Sequence, residues 1–212
     1  MTARDTVLGR IRAALADVPA EEAVGDAPVP RDYRRGRAEA DAVGLFAERV
    51  ADYRARVVQT TPERARATIA GLLAGSDVRT LVVPPAFPPD LVPEGPWQRL
   101  EEPLEPGDLE AADTVLTTCR AGIAVTGTIV LDAGPGQGRR ALTLLPDHHL
   151  CVVRAEQIVA DVPDAIALLD PGRPLTFVSG PSATSDIELD RVEGVHGPRS
   201  LDVVIVREEP HV

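Results

Sequence analysis

The side chains best equipped for chemistry crowd into one stretch near the carboxyl end: Ser179, Ser182, Thr184, Ser185, Asp186, Glu188, His196 and Arg199. Carboxylates and an imidazole suit proton transfer, and a guanidinium grips a carboxylate or phosphate through two parallel hydrogen bonds. Gly180, Pro181, Gly194, Gly197 and Pro198 punctuate the stretch. Glycine there lets backbone N–H groups come close to a ligand. Two apolar runs bracket it, 175–178 and 201–206, each too short for a helix and each read as a buried strand.

A loop that leaves the carboxyl end of a strand and opens into a helix is how open α/β sheets build sites. The expected catalytic groups are His196, Glu188 and Asp186, with Ser179, Gly180, Ser182, Thr184, Gly197 and Arg199 as ligand contacts. Thr126, Gly127 and Thr128, in a second tight turn, are expected beside them, because the strands on either side of the 179–199 stretch could pair. Plainer roles compete with these. Ser185 and Glu188 fit a capping box, Asp186 suits a first helical turn, and His196 could simply lock its own loop. No metal site is expected. Cys119 and Cys151 are far apart in sequence, and the adjacent His148 and His149 point to opposite faces of a strand.

The chain of 212 residues is 44% hydrophobic and 26% charged, which bounds it to one sizeable soluble domain with or without an appendage. A net charge of −11 argues against a nucleic-acid or anionic-membrane partner. All 22 basic residues are arginine, so Schiff-base and lysine-dependent phosphate-loop chemistry is excluded. Two distant thiols make neither a disulfide framework nor a cluster site. No apolar leader or span is visible, so the cytoplasm is the expected compartment.

These groups must be positioned by alternating helices and strands. Val7, Leu8, Ile11, Ala14 and Leu15 recur at helical spacing, followed by a Pro-rich linker; residues 1–35 form an appendage to a domain at 36–212. The pattern predicts helices at 36–56 and from Thr61-Pro62-Glu63 to Gly75, the second opened by Pro at its first position. Strands are predicted near 57–58, 80–83, 97–100, 113–119, 128–131 and 149–153. The Gly-rich segment 133–140 reads as a hairpin loop leading into a β-like run at 141–145. It lacks the following helix that a phosphate loop requires. A helix at 156–169 is expected to kink at Pro163. The sum is an α/β three-layer sandwich with a mainly parallel sheet.

Two blocks carry a resemblance: GIAVTGTIVLDAG at 122–134 and SGPSATSDIELDRVEGVHGPRSLDVVIV at 179–206. They resemble the signatures of the LUD-domain family, in particular its lactate utilization protein C group, over roughly residues 36–207. The resemblance implies a fold similar to CoA transferases, ribose-phosphate isomerases and formyltetrahydrofolate cyclo-ligases, here with an N-terminal helical extension. It also implies a subunit of a system that oxidises L-lactate to pyruvate. This chain would hold no cofactor, its partners would carry the iron–sulfur clusters, and it would offer a small carboxylate or phosphate pocket, or a docking surface. An independent transferase, isomerase or cyclo-ligase acting on a small anion is the alternative. The family usually has Glu where Val125 stands, which tilts the expectation toward a supporting subunit.

Overall fold

A computed structural model describes residues 2–19, 21, 30, 41–184, 192–193 and 197–208, with backbone alone at 183–184 and 192–193. The chain divides into two units, Met1–Arg34 and Arg35–Val212. In the first, helix α1 (Ala3–Ala14) is opened by a reciprocal cap. The Asp5 N–H donates to Thr2 Oγ1 at 3.2 Å, and the Thr2 N–H to Asp5 Oδ2 at 2.9 Å. Val7, Ile11 and Leu15 are exposed along one stripe of this unit.

The second unit begins its described part with α2 (Ala42–Asp52), capped by Asp41 Oδ1 accepting from the Gly44 N–H at 2.8 Å. Then come β1 (Arg56–Thr60), α3 (Pro62–Ala74), β2 (Thr80–Val82), β3 (Gln98–Leu100) and α4 (Pro106–Glu110). These are followed by β4 (Thr114–Thr118), β5 (Ala121–Ile123), β6 (Thr128–Leu131), β7 (His148–Arg154), β8 (Ile158–Val159) and α5 (Val162–Leu168). The last elements are β9 (Thr176–Val178), the short β10 (Ala183–Thr184) and β11 (Val192–Glu193), and β12 (Ser200–Val206).

Six strands form one sheet in the order β1-β12-β7-β4-β2-β3, and every neighbouring pair in it is parallel. A parallel sheet must be covered on both faces, and its central strands β12, β7 and β4 are accordingly buried along nearly their whole length. α3 covers one face: Ala65, Ile69 and Leu73, at four-residue spacing, pack with Leu116, Leu150, Val152, Val204 and Val206. On the other face Phe46 and Val50 of α2 join Ile129 and Leu131 of β6 against Cys151, Val153, Val203 and Ile205. β6 belongs to a second sheet, β8-β5-β6-β9, whose far side packs Ile123 and Val130 against Ala165 of α5. The α/β class and the parallel sheet are as the sequence predicts.

Several local expectations fail, each for a physical reason. β9 does not pair with β12; it is an edge of the small sheet, antiparallel to β6, and Phe177 is 47% exposed. The helix expected at 156–169 is three pieces: a 3-10 turn, β8 and α5. Pro163 falls in the first turn of α5, where its missing N–H costs nothing. The segment 141–145 is a 3-10 turn over Arg140–Thr143, and the glycine-rich loop joins the two sheets instead of closing a hairpin. The 36–56 helix ends at Asp52, since Arg54 takes φ +66 before β1 begins.

Candidate functional site

Because all six strands of the large sheet are parallel, their carboxyl ends share one side, where open α/β sheets place ligands. A cleft of about 440 Å³ opens there. Its walls come from Ala86, Pro88 and Leu91 after β2, from Thr118, Cys119 and Arg120 at the end of β4, and from Arg154 and Gln157 at the end of β7. Asp132, Gln137 and Arg173 close the remaining side.

Hydrogen bonds fix this frame. The glycine-rich loop hangs from the strand ends: the Gly136 N–H donates to the Pro85 carbonyl at 3.0 Å, and the Thr118 N–H to the Gly136 carbonyl at 2.9 Å. The Thr118 hydroxyl donates to the Pro135 carbonyl at 3.0 Å. Gly136 has φ +72, and a Cβ there would stand 2.9 Å from Thr118 Oγ1, so only glycine fits. Gln137 Oε1 accepts from the Asp132 N–H at 2.7 Å. Gln157 joins β4 to β7, donating to the Cys119 carbonyl at 2.7 Å and accepting from the Arg154 N–H at 2.9 Å.

The charges are unequal in their commitments. Arg173 is held by Asp132, its Nε donating to the backbone carbonyl at 3.1 Å and its Nη1 lying 3.4 Å from Oδ2. Arg120 gives one nitrogen to the Leu168 carbonyl at 2.8 Å. Arg154 makes no ion pair with another described residue. Thr118, the last residue of β4, is in register with Val152, and Arg120 and Arg154 both line the cleft beyond this pair.

Beneath the cleft lie both thiols, Cys119 and Cys151, buried in the apolar layer between the sheets. Their hydrogen bond to one another, with burial added, pushes the Cys119 thiol well up. The same bond, with His149 and Thr117 facing it, draws Cys151 down. His149 Nε2 lies 2.7 Å from Thr117 Oγ1. A thiol held protonated is a poor nucleophile, and Cys151, though drawn down, is fully buried and does not line the cleft, whose own polar groups are anion-binding donors.

The residues expected from sequence lie elsewhere. Ser179 Oγ is 2.8 Å from Thr128 Oγ1, which is 2.8 Å from Thr126 Oγ1, so these two turns do meet. The Ser182 N–H donates to the Pro198 carbonyl at 2.8 Å, bringing the two loops together at Gly197 and Pro198. Gly127 (φ +58) and Gly180 (φ +86) bring their loops against the backbone of Arg49 and the ring of Tyr53. This gathering stands at the amino end of β12, opposite the carboxyl ends where a site was expected. Arg199 is exposed there and lies 3.5 Å from an equally exposed Asp147, a pairing of small energetic weight. Thr184 lies on β10, which pairs antiparallel with β11. Ser185, Asp186, Glu188, Gly194 and His196, with the expected helix start, lie outside the described residues.

A buried polar network does stand at that amino end. Asp202 Oδ1 accepts from Arg56 Nε at 2.9 Å, and its Oδ2 pairs with Arg56 Nη2 and lies 3.2 Å from His148 Nε2. His148 Nδ1 in turn is 3.0 Å from Thr114 Oγ1. Burial pushes the Asp202 carboxyl up, but hydrogen bonds from His148 and Arg56 outweigh it and hold the group below its ordinary value. His148 and His149 do take opposite faces of β7, as alternation requires.

Sequence reasoning passed over Arg120, Arg154, Arg173, Gln137 and Gln157. The usable signal was position: two arginines each fall just beyond a central apolar strand, where a parallel sheet gathers its ligands. Among the described residues, no group of three or more His, Cys, Asp or Glu is placed to hold a metal ion, and no helix is long and apolar enough to cross a membrane.

A six-stranded parallel sheet with a cleft at its carboxyl ends defines an open α/β protein. Comparison with known proteins narrows the class. The LUD domain model matches residues 107–206. Lactate utilization protein C of Deinococcus radiodurans is 44% identical over 196 residues, 87% of each chain. Lactate utilization protein C 1 of Bacillus mycoides is 35% identical over 108 residues, 47% of this chain and 46% of its own. The crystal structure of a DUF162 family protein from D. radiodurans superposes with a TM-score of 0.67 at 36% identity, covering 85% of this chain and 100% of that one. The chain belongs to the LUD-domain family.

Proposed function

We propose that this chain is a non-redox component of a system that oxidises L-lactate to pyruvate, working beside partner proteins that carry iron–sulfur clusters. Its own part is to bind an anion in the cleft at the carboxyl ends of β4 and β7. The observation that carries the reading is the 44% identity, over 87% of both chains, to a protein named lactate utilization protein C. The cleft adds support from geometry: three arginines against two aspartates line it, with two glutamines, in a chain whose net charge is −11, so its local charge runs against the rest of the molecule.

Deleting the gene in its native host is expected to abolish growth on L-lactate as sole carbon source, with growth restored by the full chain. The purified chain alone is expected not to turn over L-lactate with any artificial electron acceptor. Normal growth of the deletion strain overturns the lactate reading. Turnover by the purified chain overturns the non-redox role.

A further inference from the structure

The cleft is roomier than lactate needs, and more than one arginine lines it. Its volume of about 440 Å³ would hold roughly fifteen waters at about 30 Å³ each and sits in the range of sites for ligands of drug or cofactor size. A short hydroxy acid would leave most of it to solvent. The walls also differ in kind. Ala86, Pro88 and Leu91 make one side apolar, while Arg120, just past β4, and Arg154, the last residue of β7, line another. Two like charges lining one cleft repel, and a dianion between them offsets more of that cost than a monoanion does. Arg173 contributes little free charge, being already held by Asp132. Arg154, with no ion pair to another described residue, is the available cation.

We infer that the cleft takes a phosphorylated organic molecule, its phosphate held between Arg120 and Arg154 and its apolar body laid along Ala86, Pro88 and Leu91. This rests on the cleft being the chain's ligand site, as proposed above, and it removes lactate from that site: the hydroxy acid is then handled by the partners. A guanidinium pair meets a phosphate through parallel charge-assisted hydrogen bonds, which fixes orientation as well as charge. The apolar wall supplies what distinguishes an organic phosphate from the inorganic ion.

Calorimetry on the full chain with phenyl phosphate, AMP, inorganic phosphate and L-lactate tests this without any variant. Phenyl phosphate or AMP is expected to bind at least about tenfold more tightly than inorganic phosphate or L-lactate. Arg154→Gln and Arg120→Gln, both at exposed positions and checked for an unchanged circular dichroism spectrum, are each expected to weaken the tighter of the two organic phosphates about tenfold to a hundredfold. L-lactate binding as tightly as the organic phosphates overturns the inference and leaves the lactate-utilization reading standing. Absence of binding by both organic phosphates, or binding that neither substitution weakens, overturns it as well. Failure of the growth experiment overturns the wider reading alone, so the two fail separately.

Discussion

Asp202→Asn removes one charge from the amino end of the large sheet while keeping the side chain's size. In the native protein this nearly buried carboxylate accepts from Arg56 Nε at 2.9 Å and from Arg56 Nη2, and faces His148 Nε2 at 3.2 Å. An amide offers one oxygen where two were used and turns an N–H toward existing donors. A hydrogen bond to a charged group is worth about 1.5–3 kcal/mol, and breaking a buried pair costs about 3–5 kcal/mol. Arg56 is about half exposed and regains water when released, so the lower part of the range applies, about 3 kcal/mol. For a domain of this size, that lowers Tm by about 6–12 °C at neutral pH. The dependence on pH has a definite sign. The folded carboxyl titrates below its ordinary value of 3.8, so its stabilisation is fully present above 3.8 and fades as pH falls through the folded value. Urea unfolding of both proteins at about pH 7, 5 and 3 should show a constant gap at the first two and a narrower one at the last. Equal stability at neutral pH, or a gap unchanged in acid, refutes the argument.

Two further outcomes follow from packing. Gly127→Ala forces a side chain onto φ +58 and puts its Cβ 2.6 Å from the Arg49 carbonyl carbon. It should cost at least about 2 kcal/mol, read as a Tm lower by about 4 °C or more. A thiol reagent should find neither Cys119 nor Cys151 in the native protein and both after denaturation; rapid native labelling would contradict the buried pair.

Much of the fold was legible in the sequence because central parallel strands announce themselves. β12, β7 and β4 carry apolar stretches at 203–206, 150–153 and 115–116, and α3 opens with Pro62 and repeats Ala65, Ile69 and Leu73. Partner choice was not legible. β9 looks as strand-like as β12 in sequence, yet it pairs with β6 in the other sheet, since strand propensity is local and pairing is not. The candidate site suffered the same way. Polar density drew attention to 179–199, whereas the cleft is assembled from short segments at five separate places in the chain. Arg120 and Arg154 belong together only once β4 and β7 are known to be parallel neighbours.

That discontinuity has a thermodynamic consequence. The segments around Ala86, Thr118, Asp132, Val152 and Leu168 meet only when the two sheets are joined through the glycine-rich loop, so no partly unfolded chain owns the cleft. Any ligand of the cleft therefore binds the native state alone, and its binding free energy is added in full to that of folding. At a hundredfold excess over Kd the increment is about 2.7 kcal/mol. A rise in melting temperature that grows with the logarithm of concentration would thus identify the ligand before any activity is known.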